Sequence, residues 1–158
     1  MGENLIDQII EKINQASELY HRLILLVGPA GSGKTKVLQD VHNRQGGPLI
    51  NLNLELTRRM LDLTGRQRAL QISQILGDLI DRAEGRIVLL DNIEILFDVL
   101  LKQDPLRLLQ GVSRRKTIVA AWNGSIDKEQ IIYAAPDHPE YRRYTIRDFL
   151  VANLEANK

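Results

Sequence analysis

Apolar residues change their spacing several times along this chain, and each change marks an expected element. From Asn4 to Tyr20, Leu5, Ile6, Ile9, Ile10, Ile13 and Ala16 recur three and four apart, so residues 1–20 are expected to hold an N-terminal amphipathic helix. Leu23 to Val27 is an unbroken apolar run of strand length, the signature of a strand covered on both faces of a parallel sheet. A helix is expected from about Gly33 to Asn43, stopped by Gly46, Gly47 and Pro48, and then a strand from Leu49 to Leu54. Glu55 to Ala83 reads as helix broken near Thr64 and Gly65, with Leu70, Ile72, Ile75, Leu76, Leu79 and Ile80 as its buried stripe. Arg86 to Asp91 is a third strand, and Ile93 to Gly111 is again helical, restarted where Asp104 caps and Pro105 opens a first turn. Thr117 to Trp122 is a fourth strand. Pro136 and Pro139 force extended backbone before a last strand around Tyr141 to Ile146, and residues 147–158 are expected to form a C-terminal helix.

Strands alternating with helices predict an α/β fold of three layers, a mainly parallel sheet between helices, with its ligand beyond the C-terminal ends of the strands. A length of 158 residues suits one domain spanning 1–158. Composition adds little: aromatics at 4% are scarce, so the core is expected to be Leu, Ile and Val. A net charge of +1 gives no global attraction for nucleic acid or acidic membranes. The absence of cysteine excludes disulfides and thiolate metal sites and fits a reducing compartment. No uncharged run approaches the ~18 residues of a membrane span, so a soluble, cytoplasmic protein with no membrane contact is expected.

The chemistry begins where the first strand ends. Gly28, Pro29, Ala30, Gly31, Ser32, Gly33, Lys34 and Thr35 fit the pattern G-x-x-x-x-G-K-[ST] in full, between an expected strand and an expected helix that Lys36 continues. Such a loop turns successive N–H groups onto one anion, Lys34 offers a charge to the outer phosphates, and Thr35 offers an oxygen to Mg²⁺. A nucleoside triphosphate, with ATP and Mg²⁺ as the expected cofactors, suits all nine of these positions.

Polar residues that end the other strands become candidates in turn. Asp91 can hold Mg²⁺ opposite Thr35, or cap the next helix. Asn123 can orient a water or touch the terminal phosphate, or merely form an Asn-Gly turn. Glu94, three residues past Asp91, is the carboxylate near enough in sequence to act as a base, whereas the adjacent Asn92 cannot accept a proton, so slow chemistry is expected. Arg114 and Arg115 precede the fourth strand, and Arg142 and Arg143 stand at the start of the last. At strand entrances they are expected to face away from their own nucleotide, where a pair can serve a neighbour's in trans or simply be surface charge. Arg58, Arg59, Arg66 and Arg68 can meet DNA phosphates or form a solvated helix face.

Taken together, the phosphate loop, the acidic strand LLDNIE and Asn123 resemble the core of an AAA+ ATPase. More closely, LLDNIEILFD, KQDPLRLLQGVSR, VAAWNG and HPEYRRY resemble the small P-loop proteins of type 3 BREX bacteriophage-exclusion systems, the BrxF family, over about residues 20 to 145. The resemblance implies an ATP-binding, weakly hydrolysing subunit of an antiphage defence complex, with a second copy or a partner ATPase of the same system. Two departures from the wider AAA+ pattern stand out: Asn92 occupies the position of the usual catalytic glutamate, and the residues after the last expected strand are too few for a full helical lid. The rival expectations are a non-hydrolysing module whose bound ATP fixes a partner-binding shape, and a small-molecule kinase.

Overall fold

Five parallel strands form the middle layer of the computed structural model, which describes residues 4–155; the parts of the expected terminal helices at 1–3 and 156–158 lie outside the described residues. In chain order the elements are α1 Leu5–Ala16, β1 Leu23–Gly28, α2 Lys34–Gln45, β2 Leu49–Asn51, α3 Leu52–Met60, α4 Gly65–Arg82 and β3 Ile87–Asp91. Two 3-10 segments, Ile93–Phe97 and Val99–Leu101, then lead to α5 Pro105–Val112, β4 Thr117–Asp127, β5 Gln130–Tyr133, β6 Arg142–Thr145 and β7 Leu150–Asn153. The parallel order is β2-β3-β4-β1-β7, and β5 and β6 add antiparallel to the far half of β4.

The unbroken apolar run of β1 is explained by its central place. Leu23, Leu25 and Val27 face a core built with α3, α4 and α5, while Ile24 and Leu26 face a second core built with α1 and α2. Both faces exclude water, so alternation has no polar side to record. The C-terminal ends of β1, β3 and β4 therefore meet at one edge of the sheet. There Gly28 is in register with Asn123.

Several expected boundaries move, each for a physical reason. The first helix stops at Ala16 rather than Tyr20. Leu49–Asn51 is the whole second strand, because Asn51 Oδ1 accepts from Leu54 N–H at 3.1 Å and caps α3, so Leu52 to Leu54 are helical. Leu70 does not join the buried stripe: it is 74% exposed. The stretch after Asp91 is two 3-10 segments rather than α-helix, since Asp98, with ψ of 120°, breaks the turn and its carboxylate caps the next at Leu100 N–H. Asn123 and Gly124 form no turn; β4 runs straight through them to Asp127.

Two corrections bear on the site. Residues 142–145 do form a strand, but it belongs to an antiparallel hairpin in which Arg142 pairs with Tyr133 and Tyr133 with Gly124. Arg142 and Arg143 do open a strand, but that strand lies beyond the C-terminal ends of the parallel strands and not on the entrance side of the parallel sheet. The expected C-terminal helix is replaced, over Leu150–Asn153, by β7, which lies parallel to β1 from Ile24 to Val27. Helical propensity in FLVANLEA yields to pairing with the open edge of β1, where Phe149 and Ala152 become buried.

Candidate functional site

The loop between β1 and α2 takes its shape from its glycines. Gly31 and Gly33 have φ of 78° and 100°, a region that side-chain-bearing residues resist. Gly28 is required for space instead, because a Cβ there would stand 2.7 Å from Ser32 Oγ and 3.2 Å from Leu154. Gly33 caps α2 without any side-chain hydrogen bond, so the first N–H groups of the helix remain directed at the loop.

Lys34 opens α2 with its side chain folded back over the loop. Its Nζ donates to the carbonyls of Gly28 (2.8 Å) and Pro29 (2.6 Å) and to Ser32 Oγ (3.3 Å). Only 6% of the residue is exposed. Burial lowers its pKa, and the negative charges of Glu94 and then Asp91 partly restore it.

Opposite the loop, Asp91 ends β3 and is almost buried. Thr35 Oγ1 donates to its Oδ2 at 2.7 Å, and the backbone N–H of Asn92 donates to its Oδ1 at 3.0 Å. Asn92 adopts the left-handed conformation (φ 56°, ψ 53°), which asparagine tolerates better than most residues. That kink delivers the next turn, with half-buried Glu94, to the same cavity. Burial raises the Glu94 pKa above the usual carboxylate range; its own backbone hydrogen bond opposes this, Asp91 adds to it and Lys34 opposes it.

A cavity of about 600 Å³ unites these groups. Ala30, Gly31, Gly33, Lys34, Thr35, Lys36, Asp91, Asn92, Glu94 and Asn123 line it, together with Gln39. Gln39 is the lining residue that sequence reading missed, although its place one helical turn after Thr35 on α2 was a usable signal.

The arginines lie elsewhere. Arg114, at the entrance of β4, stacks its guanidinium 4.5 Å from the centroid of the Tyr20 ring, and Arg115 pairs with Asp81 at 2.6 Å. Arg142 donates to the Gln103 carbonyl at 3.2 Å and Arg143 to Tyr141 Oη at 3.0 Å. On α3, Glu55 holds Arg59 at 2.7 Å and Arg58 at 3.5 Å, while Arg68 on α4 donates to the Leu63 carbonyl and Arg66 is exposed. Among the described residues no group of three or more His, Cys, Asp or Glu is placed to hold a metal, and no helix is long and apolar enough to cross a membrane.

A family model described as the ATPase family associated with various cellular activities (AAA) matches residues 24–121. Among solved structures, a chain from Drosophila ORC bound to DNA is 20% identical with a TM-score of 0.44; the match covers 94% of the present chain and 42% of that one. No curated protein matches the sequence.

Proposed function

The chain belongs to the AAA family of ATPases, its matched segment running through the phosphate loop and Asp91 at the end of β3, and from that premise we propose that it binds Mg²⁺·ATP and hydrolyses it slowly. The observation that carries this reading is the gathering of Lys34, Thr35, Asp91, Glu94 and Asn123 around one cavity at the open N-terminus of α2.

The donor set fits magnesium. Two ligands at adjacent corners of a Mg²⁺ octahedron stand about 3.0 Å apart, and Thr35 Oγ1 and Asp91 Oδ2 stand 2.7 Å apart. Mg²⁺ is commonly held by one or two protein oxygens plus phosphates and water, so the lack of a larger acidic cage among the described residues suits it. When bound there, the ion neutralises charge on the outer phosphates. The loop N–H groups and Lys34 bind the triphosphate, Asn123 orients its terminal group, and Glu94, whose pKa burial raises above the usual carboxylate range, takes the proton of the attacking water in its ionised form. Asn92 keeps a carboxylate out of the position beside Asp91, and turnover below ~1 s⁻¹, the low end of enzyme rates, is expected.

The segments around LLDNIEILFD, VAAWNG and HPEYRRY support a narrower reading, a subunit of a BREX-type antiphage complex that assembles with itself or a partner ATPase when ATP is bound. Arg114, exposed at the opposite end of β4, is the in-trans candidate in such an assembly. Calorimetric titration of Mg²⁺·ATP, steady-state hydrolysis and solution mass with and without ATP test the proposal. Absence of ATP binding defeats all of it, whereas a constant monomer with unchanged activity per chain at every concentration removes the assembly.

A further inference from the structure

Behind the cavity an aromatic stack joins the turn that carries Glu94 to the hairpin that leaves β4. Phe97 and Tyr133 lie face to face, with centroids 3.6 Å and planes 13° apart, and the Trp122 indole closes edge-on against them at 5.2 and 6.0 Å. Glu94 and Phe97 stand three residues apart in the 3-10 segment Ile93–Phe97. Side chains at that spacing eclipse in a 3-10 helix, so the carboxylate and the phenyl ring share one face of the turn. Five residues of 3-10 helix have little stability of their own. The turn is held by what its buried side chains touch.

On the far side of the stack, Tyr133 is fixed by the sheet. It pairs with Gly124 across β4 and β5, and Trp122 Nε1 donates to the neighbouring Ile132 carbonyl at 3.0 Å. A Cβ on Gly124 would fall 1.8 Å from that carbonyl oxygen, so the close approach of the two strands depends on glycine there. Asn123, between Trp122 and Gly124, lines the cavity. One rigid unit thus carries Asn123 on one arm and Tyr133 on the other.

We propose that Tyr133 is a positioning residue for ATP hydrolysis: its ring, stacked on Phe97, fixes the 3-10 turn that aims Glu94 at the cavity and ties that aim to the strand bearing Asn123. The inference rests on the reading of Glu94 as the base. The ring does this work and the hydroxyl does not. Burial, with Glu94 and then Glu140 nearby, pushes the phenol well above its ordinary pKa, so Tyr133 stays neutral and supplies no phenolate base to the site.

The test compares Tyr133→Phe, Tyr133→Leu and Glu94→Gln in the full chain. Tyr133→Phe keeps the stack and should hydrolyse ATP as the wild type does. Tyr133→Leu should lose about ten- to a hundredfold in kcat, the scale of a small misplacement of a catalytic group, with the ATP dissociation constant changed by less than about twofold. Amide hydrogen exchange at residues 93–97, read without nucleotide, should quicken in Tyr133→Leu and not in Tyr133→Phe. If Tyr133→Leu does not fold, Phe97→Leu opens the same stack from the other side with the same readouts. Wild-type turnover in Glu94→Gln overturns the reading of the base and this inference with it. An inactive Glu94→Gln beside a fully active Tyr133→Leu, or unchanged exchange at 93–97, overturns the inference alone.

Discussion

Thr35 Oγ1 donates to Asp91 Oδ2 across 2.7 Å, joining the first turn of α2 to the end of β3 over a separation of 56 residues. The bond places two hard oxygens side by side at the mouth of the phosphate loop. Thr35→Val keeps the shape and removes one of them. ATP affinity in the presence of Mg²⁺ should fall by roughly ten- to a hundredfold, while affinity measured with the metal chelated should change little. Calorimetry under both conditions checks this, and equal losses in the two would show that Thr35 serves the loop rather than the metal.

Lys34→Ala removes the cation that lies against the Gly28 and Pro29 carbonyls. A charge-assisted contact to phosphate is worth ~1.5 to 3 kcal/mol, so triphosphate binding should weaken by roughly ten- to a hundredfold. The variant should still fold, since a buried ammonium already pays for its desolvation. Titration calorimetry and a thermal melt together decide it.

Glu94 carries a raised pKa whose main cause is burial. Hydrolysis should therefore rise with pH along a limb displaced above the usual carboxylate range, and Glu94→Gln should abolish turnover and the limb with it. Stability runs the opposite way with pH. A carboxylate with a raised folded pKa loses its favourable contribution as pH climbs through that pKa, so Glu94→Gln should melt higher than wild type near neutrality. The difference should vanish in acid, below the unfolded carboxylate range, and a gap that does not depend on pH would refute the account.

Asn92 sits in the left-handed region immediately after the metal-side acid. Asn92→Glu should quicken turnover by bringing a second carboxylate to the cavity, at the cost of about 1 kcal/mol of backbone strain seen as a lower melting temperature. Asn92→Gly should spare the melting temperature. Turnover of Asn92→Glu at or below the wild-type rate would place the limit on hydrolysis elsewhere.

Local order was legible in the chain itself. Gly28 to Thr35, the apolar runs of β1, β3 and β4, and the Asp104 and Pro105 start of α5 are written in adjacent residues, because a phosphate loop, a doubly buried strand and a helix cap each depend on a few neighbouring side chains. From these, the α/β layers and the lining by Lys34, Thr35, Asp91, Glu94 and Asn123 could be anticipated. Tertiary structure alone decided the rest. Nothing local in Leu150–Asn153 marks a strand until the edge of β1 offers it hydrogen bonds, and nothing near Asn123 says that β4 continues until β5 returns to meet it. The Phe97 and Tyr133 rings, far apart in sequence, meet because that hairpin folds back over the turn after Asp91. Gln39, by contrast, could have been read from its place one helical turn after Thr35 on α2. Pairing and packing between distant segments outweigh local propensity, since each added backbone ladder or buried ring exceeds the few tenths of a kcal/mol by which most residues prefer helix or strand.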